Sequence, residues 1–393
     1  MVTTKTAKKK VVKSKEKEEG GAYAPPSSFF RGLFDLVGLQ SALKRAIQFV
    51  PAKTTIPTLY SFRFQSTGAG MVEITSTNLE SGGRFVIPSL IDSGPDSALF
   101  PAHKLFELMN LAHGVELVEL SGGENFSTVS HNKGHFELAS SDGNSFPDFL
   151  RSLTGGTFST TFGDLKKAIT RTSWCTQGDY TKYASQGVLI DGGGGKVSLV
   201  ATDLKRLSMS PLTTEGLENW RETVIPVDVL VRLSRLDAPH DAMIKVEATP
   251  NEILFKGPGF EVYSRLIAGQ FPPWRDIRKQ VKGKDWTFDR QELLSGVLQA
   301  AALCDADSRR TTLALSPSSL TVSAKSSGLG AGSSHCACEG SSDLSVDLDP
   351  AFVTEFLKST RENQVILKGS TPDNPILFIC GDHEYLVMPL FKD

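Results

Sequence analysis

Leu43-Lys44-Arg45-Ala46-Ile47 returns 122 residues later as Leu165-Lys166-Lys167-Ala168-Ile169, and more loosely, after another 129, as Leu294-Ser295-Gly296-Val297-Leu298. In each, apolar residues stand first, fourth and fifth, the spacing that lines them up on one stripe of a helix. A second pattern also occurs three times: Phe100-Pro101 with Leu105 and Leu108, Ile225-Pro226 with Leu230 and Leu233, and Leu348-Asp349 with Val353 and Phe356. These copies lie 125 and 123 residues apart. Two markers agree on one long period, which predicts three similar domains rather than a solenoid of short units. Pro or Asp at the head of the second pattern suits a helix start, because proline's missing N–H is no loss there and aspartate caps.

Alternating segments follow each second helix and read as strands: Val115–Leu120, Met243–Ala248 and Gln364–Lys368, with His135–Ala139, Glu252–Lys256 and Ile376–Ile379 beyond them. The expected fold is α+β, three repeated domains of two helices on antiparallel sheet. The boundaries read as 29–152, 153–280 and 281–393, after a disordered lysine-rich tail over 1–28. The polar stretches Leu150–Gly156 and Asp276–Lys284 separate the domains. Gly192–Gly195 and Ser326–Ser342 read as hairpin connections within them.

A chain of 393 residues with 39% hydrophobic composition has ample material for several cores. Its 42 basic and 44 acidic residues leave a net charge of −2, which excludes a protein that grips nucleic acid through bulk positive charge. That total combines a tail of +4, seven lysines against three glutamates in residues 1–20, with a body of −6. Five cysteines without paired spacing fit a reducing interior. With no long apolar run, no membrane partner is expected and the protein reads as cytoplasmic.

Candidate chemistry is thin. Asp191-Gly-Gly-Gly-Gly-Lys196 resembles a phosphate loop but lacks the following Ser or Thr and runs into a strand, so it reads as a turn. His335-Cys336-Ala337-Cys338 has one-residue spacing without a second pair, and His131 and His135 flank a turn. No catalytic residue, metal or cofactor is expected. The basic residues beside the first helices, Lys44, Arg45, Lys166, Lys167 and Arg171, lie off the apolar stripe at equivalent places in two domains, as a shared phosphate-facing surface would require.

The residues then resemble a family, the bacterial-type beta subunit of DNA polymerase III, over about residues 30–392. Val50-Pro51-Ala52-Lys53 with Ile56-Pro57-Thr58-Leu59 is similar to its basic loop and strand entry, and Thr77-Asn78-Leu79-Glu80 to its Thr-Asp-Leu-Glu. Gln186-Gly187-Val188-Leu189 resembles Asn-Gly-Val/Met-Leu, and Ala201-Thr202-Asp203-Leu204-Lys205-Arg206-Leu207 resembles Ala-Thr-Asp-Gly-His-Arg-Leu. Ser264-Arg265-Leu266-Ile267-Ala268-Gly269-Gln270-Phe271-Pro272 and Tyr385-Leu386-Val387-Met388-Pro389-Leu390 complete the set.

The resemblance implies a sliding clamp, a head-to-tail homodimer whose ring encloses duplex DNA without reading its sequence and holds DNA polymerase, the clamp loader and repair proteins by short linear motifs. It implies DNA contact for Lys53 and Tyr183, beside Lys44, Arg45, Lys166, Lys167 and Arg171. By motif, the partner pocket comprises Thr202, Leu204, Lys205, Arg206, Leu207, Pro272, Ile277, Leu386, Met388, Pro389 and Leu390. Leu204-Lys205 replaces Gly-His, Phe391 stands where arginine is common, and the lysine tail is foreign to the family, which points to a divergent bacterial, plasmid or phage version. The rival reading is a clamp-derived decoy that binds replication proteins without enclosing DNA.

Overall fold

Three helix starts are capped alike. Asp35, Thr161 and Asp289 each turn a side-chain oxygen back onto the first turn, accepting from the N–H groups of Gly38, Asp164, and Gln291 with Glu292. Each cap satisfies donors that would otherwise be orphaned and contributes about 1 kcal/mol. They open α1 (Leu36–Ala46), α3 (Phe162–Thr172) and α6 (Arg290–Ala301). The second pattern gives α2 (Ala102–Leu111), α4 (Val227–Ser234) and α7 (Pro350–Ser359). Pro101 and Pro226 stand just before the first helical residue, whereas Asp349 caps Ala351 N at 2.8 Å with Pro350 as the first helical residue.

The computed structural model describes residues 30–91, 97–123, 125–140, 143–149, 152–176, 185–305 and 307–390. The expected tail, Tyr183 and Phe391 lie outside them.

Among the described residues the strands form four antiparallel sheets. One holds Phe30–Asp35, Leu117–Gly122, Phe126–His131 and Gly134–Ala139, in that order. Another holds Gly330–Ala337, Ser319–Ser326, Thr311–Leu315 and Leu344–Leu348. The two larger sheets have nine strands each and cross from one repeat to the next. At the first joint, Phe260–Arg265 pairs with Ser81–Pro88. At the second, Arg206–Leu212 pairs with His383–Val387.

Burial alternates along the strands, with apolar residues turned toward the helices, as in Phe30, Gly32 and Phe34. The principal core lies between helices and sheets. In its first part Phe100 meets Phe30 and Phe64 edge to face, Phe64 at 4.9 Å, and Phe30 tilts against Phe64.

Two connections differ from the sequence reading. Most of Ser326–Ser342 is strand rather than loop, because Ser334 and Cys336 turn inward onto α6. The polar stretch from Asp276 is largely helical: α5 (Trp274–Gln280) is a short helix whose Trp274 and Ile277 pack onto a sheet. The four-glycine stretch is a turn between the Gly187–Asp191 and Val197–Thr202 strands, with Gly194 at φ +73°.

Candidate functional site

The two joints share one backbone plan and differ in what it carries. At the first, a row across the outer sheet face reads Arg63, Thr75, Arg84, Glu261. The row at the second reads Leu189, Val200, Met209, Glu384. Arg84 fills the first row with ion pairs to Glu73 (3.4 Å) and Glu261 (3.6 Å). The second row is apolar up to Glu384.

The next row sharpens the contrast. Gly82 faces Tyr263 at the first joint, where Leu207 faces Leu386 at the second. A Cβ on Gly82 would stand 2.3 Å from the ring of Phe149, so that ring occupies the space itself. Leu207 leaves no such seat. Leu189, Val200, Leu207, Val224, Val281, Leu377 and Leu386 instead form an apolar cluster separate from the main core, edged by Met209, Phe271, Trp274 and Ile277. One joint is sealed by charge and its own aromatic, while the other carries an apolar cluster on the same face.

The cluster has a fixed frame. Asp191, only 1% exposed, accepts from the Trp274 indole N–H at 2.9 Å and pairs with Arg275. Arg278 donates through Nη2 to Glu384 at 2.9 Å. These contacts hold α5 over the cluster. On the far side, Thr202, Asp203 and Leu204 make a tight turn: Leu204 N–H donates to Thr202 Oγ1 (3.0 Å), and Asp203 Oδ1 accepts from Arg206 N (3.0 Å). Leu204 takes φ +71°, a conformation that favours glycine, and is 45% exposed.

The motif-derived pocket residues divide around this frame. Leu207, Leu386 and Ile277 belong to or edge the apolar cluster, while buried Pro272 lies in the connector between Phe271 and Trp274, which pack against it. Thr202, Leu204 and Lys205 form the turn. The Lys205 carbonyl accepts from Met388 N–H at 2.9 Å, so the Met388-Pro389-Leu390 segment runs beside that turn. Arg206 points the other way, pairing with Asp203 at 2.8 Å and with Glu355 of α7. Its guanidinium lies 4.2 Å from the Phe352 ring centroid and 5.2 Å from that of Trp174, which makes it a fastener between repeats.

The basic residues also separate. Lys44 and Lys53 are exposed. Arg45 is half-buried over the Phe85 ring; burial lowers its pKa and Asp237 opposes that shift. Lys166 lies over the Phe162 ring, and Lys167 is 3.3 Å from Asp382. Arg171 departs from the expected open surface: it is 3% exposed, paired with Glu362 at 2.6 Å and with Asp382 at 2.5 Å. Its place three residues beyond Ala168 turns it toward the third repeat, where those carboxylates neutralise it. Arg290 is likewise engaged, donating to the Glu362 and Leu357 carbonyls.

His335 and Cys336 sit on successive residues of one strand and so face opposite ways, with His335 Nδ1 3.0 Å from Thr321 Oγ1 and the Cys336 thiol on the Glu292 carbonyl. Among the described residues, no group of three or more His, Cys, Asp or Glu is arranged to hold a metal ion.

Residues 161–273 match the family model for the central domain of the DNA polymerase III beta subunit. The Beta sliding clamp of Chlamydia muridarum is 23% identical over 90% of this chain and 96% of its own length. That of Pseudomonas aeruginosa is 24% identical over 89% and 98%. The chain is thus similar to beta sliding clamps over most of its length, and its residues 161–273 match the central domain of the DNA polymerase III beta subunit. The fold agrees. A DnaN sliding clamp from Pseudomonas aeruginosa bound to griselimycin superposes with a TM-score of 0.86 at 22% identity, covering 92% of this chain and 99% of that one. The Bacillus subtilis sliding clamp gives 0.85 at 18% identity, with the same coverage.

Sequence reading missed the aromatic connectors of this fold. Phe146-Pro147-Asp148-Phe149 and Phe271-Pro272-Pro273-Trp274 lie 125 residues apart, and each lays an aromatic on the outer face of a joint. The repeated Phe-Pro pair carried that signal. Asp191, read only as part of a turn, is an anchor for the second connector.

Proposed function

We propose that the chain is a replication sliding clamp, a non-enzymatic processivity factor built of three domains at 29–152, 153–280 and 281–393. Two copies close head to tail around duplex DNA. The observation that carries this reading is the strand use at the joints. Phe260–Arg265 meets Ser81–Pro88, and its counterpart His383–Val387 meets Arg206–Leu212. By the repeat, the remaining counterparts are Gly134–Ala139 and Gly330–Ala337, which are edges of the two smaller sheets. Pairing these between copies applies the same joint twice more and removes the open edges.

The exposed apolar side chains at these ends support that assembly: Leu111 and Phe136 beside one edge, Leu329 beside the other. Enclosure then retains DNA, and weak phosphate contacts permit sliding. Lys44, Lys53, Lys166 and Lys167 are the proposed contacts. The apolar groove with Leu207, Leu386, Met388 and Leu390 would hold linear motifs of the polymerase and clamp loader, since leucine and methionine side chains repack around different partners.

The test is to load the purified protein onto nicked circular DNA with a compatible loader and then linearise the circle. Retention on the circle and release on linearisation are expected. Failure to be retained by the circle overturns the clamp reading.

A further inference from the structure

A cleft of about 580 Å³ continues the groove past α5 toward the Thr223–Pro226 strand. Its floor is Leu189, Val224, Phe271 and Trp274, all members or neighbours of the apolar cluster that holds Leu207 and Leu386. The motif-derived pocket shares only Pro272 with it. Groove and cleft therefore form one trough, and the cleft is the part that motif matching leaves unassigned.

The rim of the cleft is acidic. Glu222 and Asp276 line it, with side chains 64% and 71% exposed. Arg275 lines the cleft with them and Lys279 stands beside it, and neither holds a rim carboxylate tightly. Arg275 is drawn down onto buried Asp191, donates to the Gly193 carbonyl at 3.3 Å and lies over Trp274, reaching Glu222 only at 3.8 Å. Lys279 meets Asp276 at 3.2 Å, a pair one helical turn apart in open solvent that holds little energy and opens readily. At the other end of the trough stands exposed Lys205, on the turn that touches Met388. The trough thus runs from a cation over an apolar floor to two carboxylates.

We propose that the cleft is a subsite for Lys or Arg flanking the apolar residues of a partner protein's linear motif. This rests on the groove being a partner site. The aliphatic stem of such a side chain would cover Trp274 and Val224 while its charged head met Glu222 and Asp276. Opposite charges also set peptide direction, because a reversed peptide would bring its basic end to Lys205.

The test uses fluorescein-labelled peptides with one Leu-Phe core and Lys-Lys, Ser-Ser or Glu-Glu on either side, read by fluorescence polarisation on the full-length protein. On one side only, Lys-Lys should bind about 3- to 10-fold more tightly than Ser-Ser, and Glu-Glu more weakly, with the difference shrinking at high salt. Glu222→Lys with Asp276→Lys should invert that order while leaving Ser-Ser affinity unchanged. Normal Ser-Ser binding with no preference among flanks overturns the subsite alone. Loss of binding by every peptide, Ser-Ser included, overturns the groove reading and the subsite with it.

Discussion

Arg171 and Glu362 meet at 2.6 Å across the boundary between the second and third helix pairs, with the guanidinium almost fully buried and the carboxylate about one-third exposed. Burial raises the Glu362 carboxyl, but Thr360, backbone N–H groups and Arg171 outweigh it and hold the group down to about 2. A carboxylate depressed in this way contributes stability above its unfolded value, near 4.3, and loses it as pH falls toward 2. Arg171→Ala should destabilise the protein by about 3 kcal/mol in urea denaturation. The loss should shrink below pH ~4, as the carboxylates protonate in the reference protein too. Lys44→Ala with Lys53→Ala should do the reverse, leaving denaturation unchanged and shortening DNA retention at moderate salt.

His383 is fully buried, with Nε2 2.8 Å from Ser208 Oγ and its ring tilted against Phe356 at 4.9 Å. Burial, reinforced by Arg171, pushes its pKa down to about 3. The unfolded chain binds a proton here near pH 6.5 and the folded chain does not, so stability is full above that pH and falls as the solution is acidified toward 3. The slope should be about 1.4 kcal/mol per pH unit in that window. His383→Gln should flatten melting temperature against pH between 6.5 and 4.5, and an unaltered slope would assign the acid lability elsewhere.

Leu204 combines positive φ with exposure, so it neither suits its backbone nor packs. Leu204→Gly should raise stability by about 1 kcal/mol. If the side chain is covered by a docked motif, the same substitution should weaken peptide binding severalfold. Stability and affinity moving in opposite directions would separate a contact role from a folding role.

Met388→Ala with Leu390→Ala removes two side chains of the terminal segment beside the groove. Polymerase binding should fall at least tenfold while mass in solution stays that of the proposed dimer. Unchanged affinity would remove the segment from the partner site.

Gly82 admits no side chain, because Phe149 occupies its Cβ direction. Gly82→Leu should cost about 1–3 kcal/mol through displacement of that ring. An unaltered melting temperature would show that the ring yields freely.

The period was legible because helix stripes and caps are local, but the pentapeptides are not equivalent positions. Leu43 stands eight residues past its cap, Leu165 four and Leu294 five, and in the third copy Leu293 and Val297 are buried while Leu298 is 43% exposed. Leu207 and Leu386 were reachable only through resemblance, since nothing in either strand says that the two will lie opposite one another. Arg171 misled the reading because its spacing places it off the apolar stripe, and only the third repeat supplies Glu362 and Asp382 to bury it. The sealed state of the first joint was harder still. It depends on the absence of a side chain at Gly82 and on Phe149, which is distant in sequence.

Both joints within the chain are runs of main-chain hydrogen bonds joining one repeat to the next through an unbroken sheet. A sheet bends far less readily along its hydrogen-bonded width than a linker swings, so each chain should act mechanically as a stiff curved beam. In the proposed ring, any machine that springs it would find the least resistance where two chains abut, since prying within a chain means shearing a nine-stranded ladder. The gate for DNA entry would therefore be fixed by the fold, before any loader chooses where to pull.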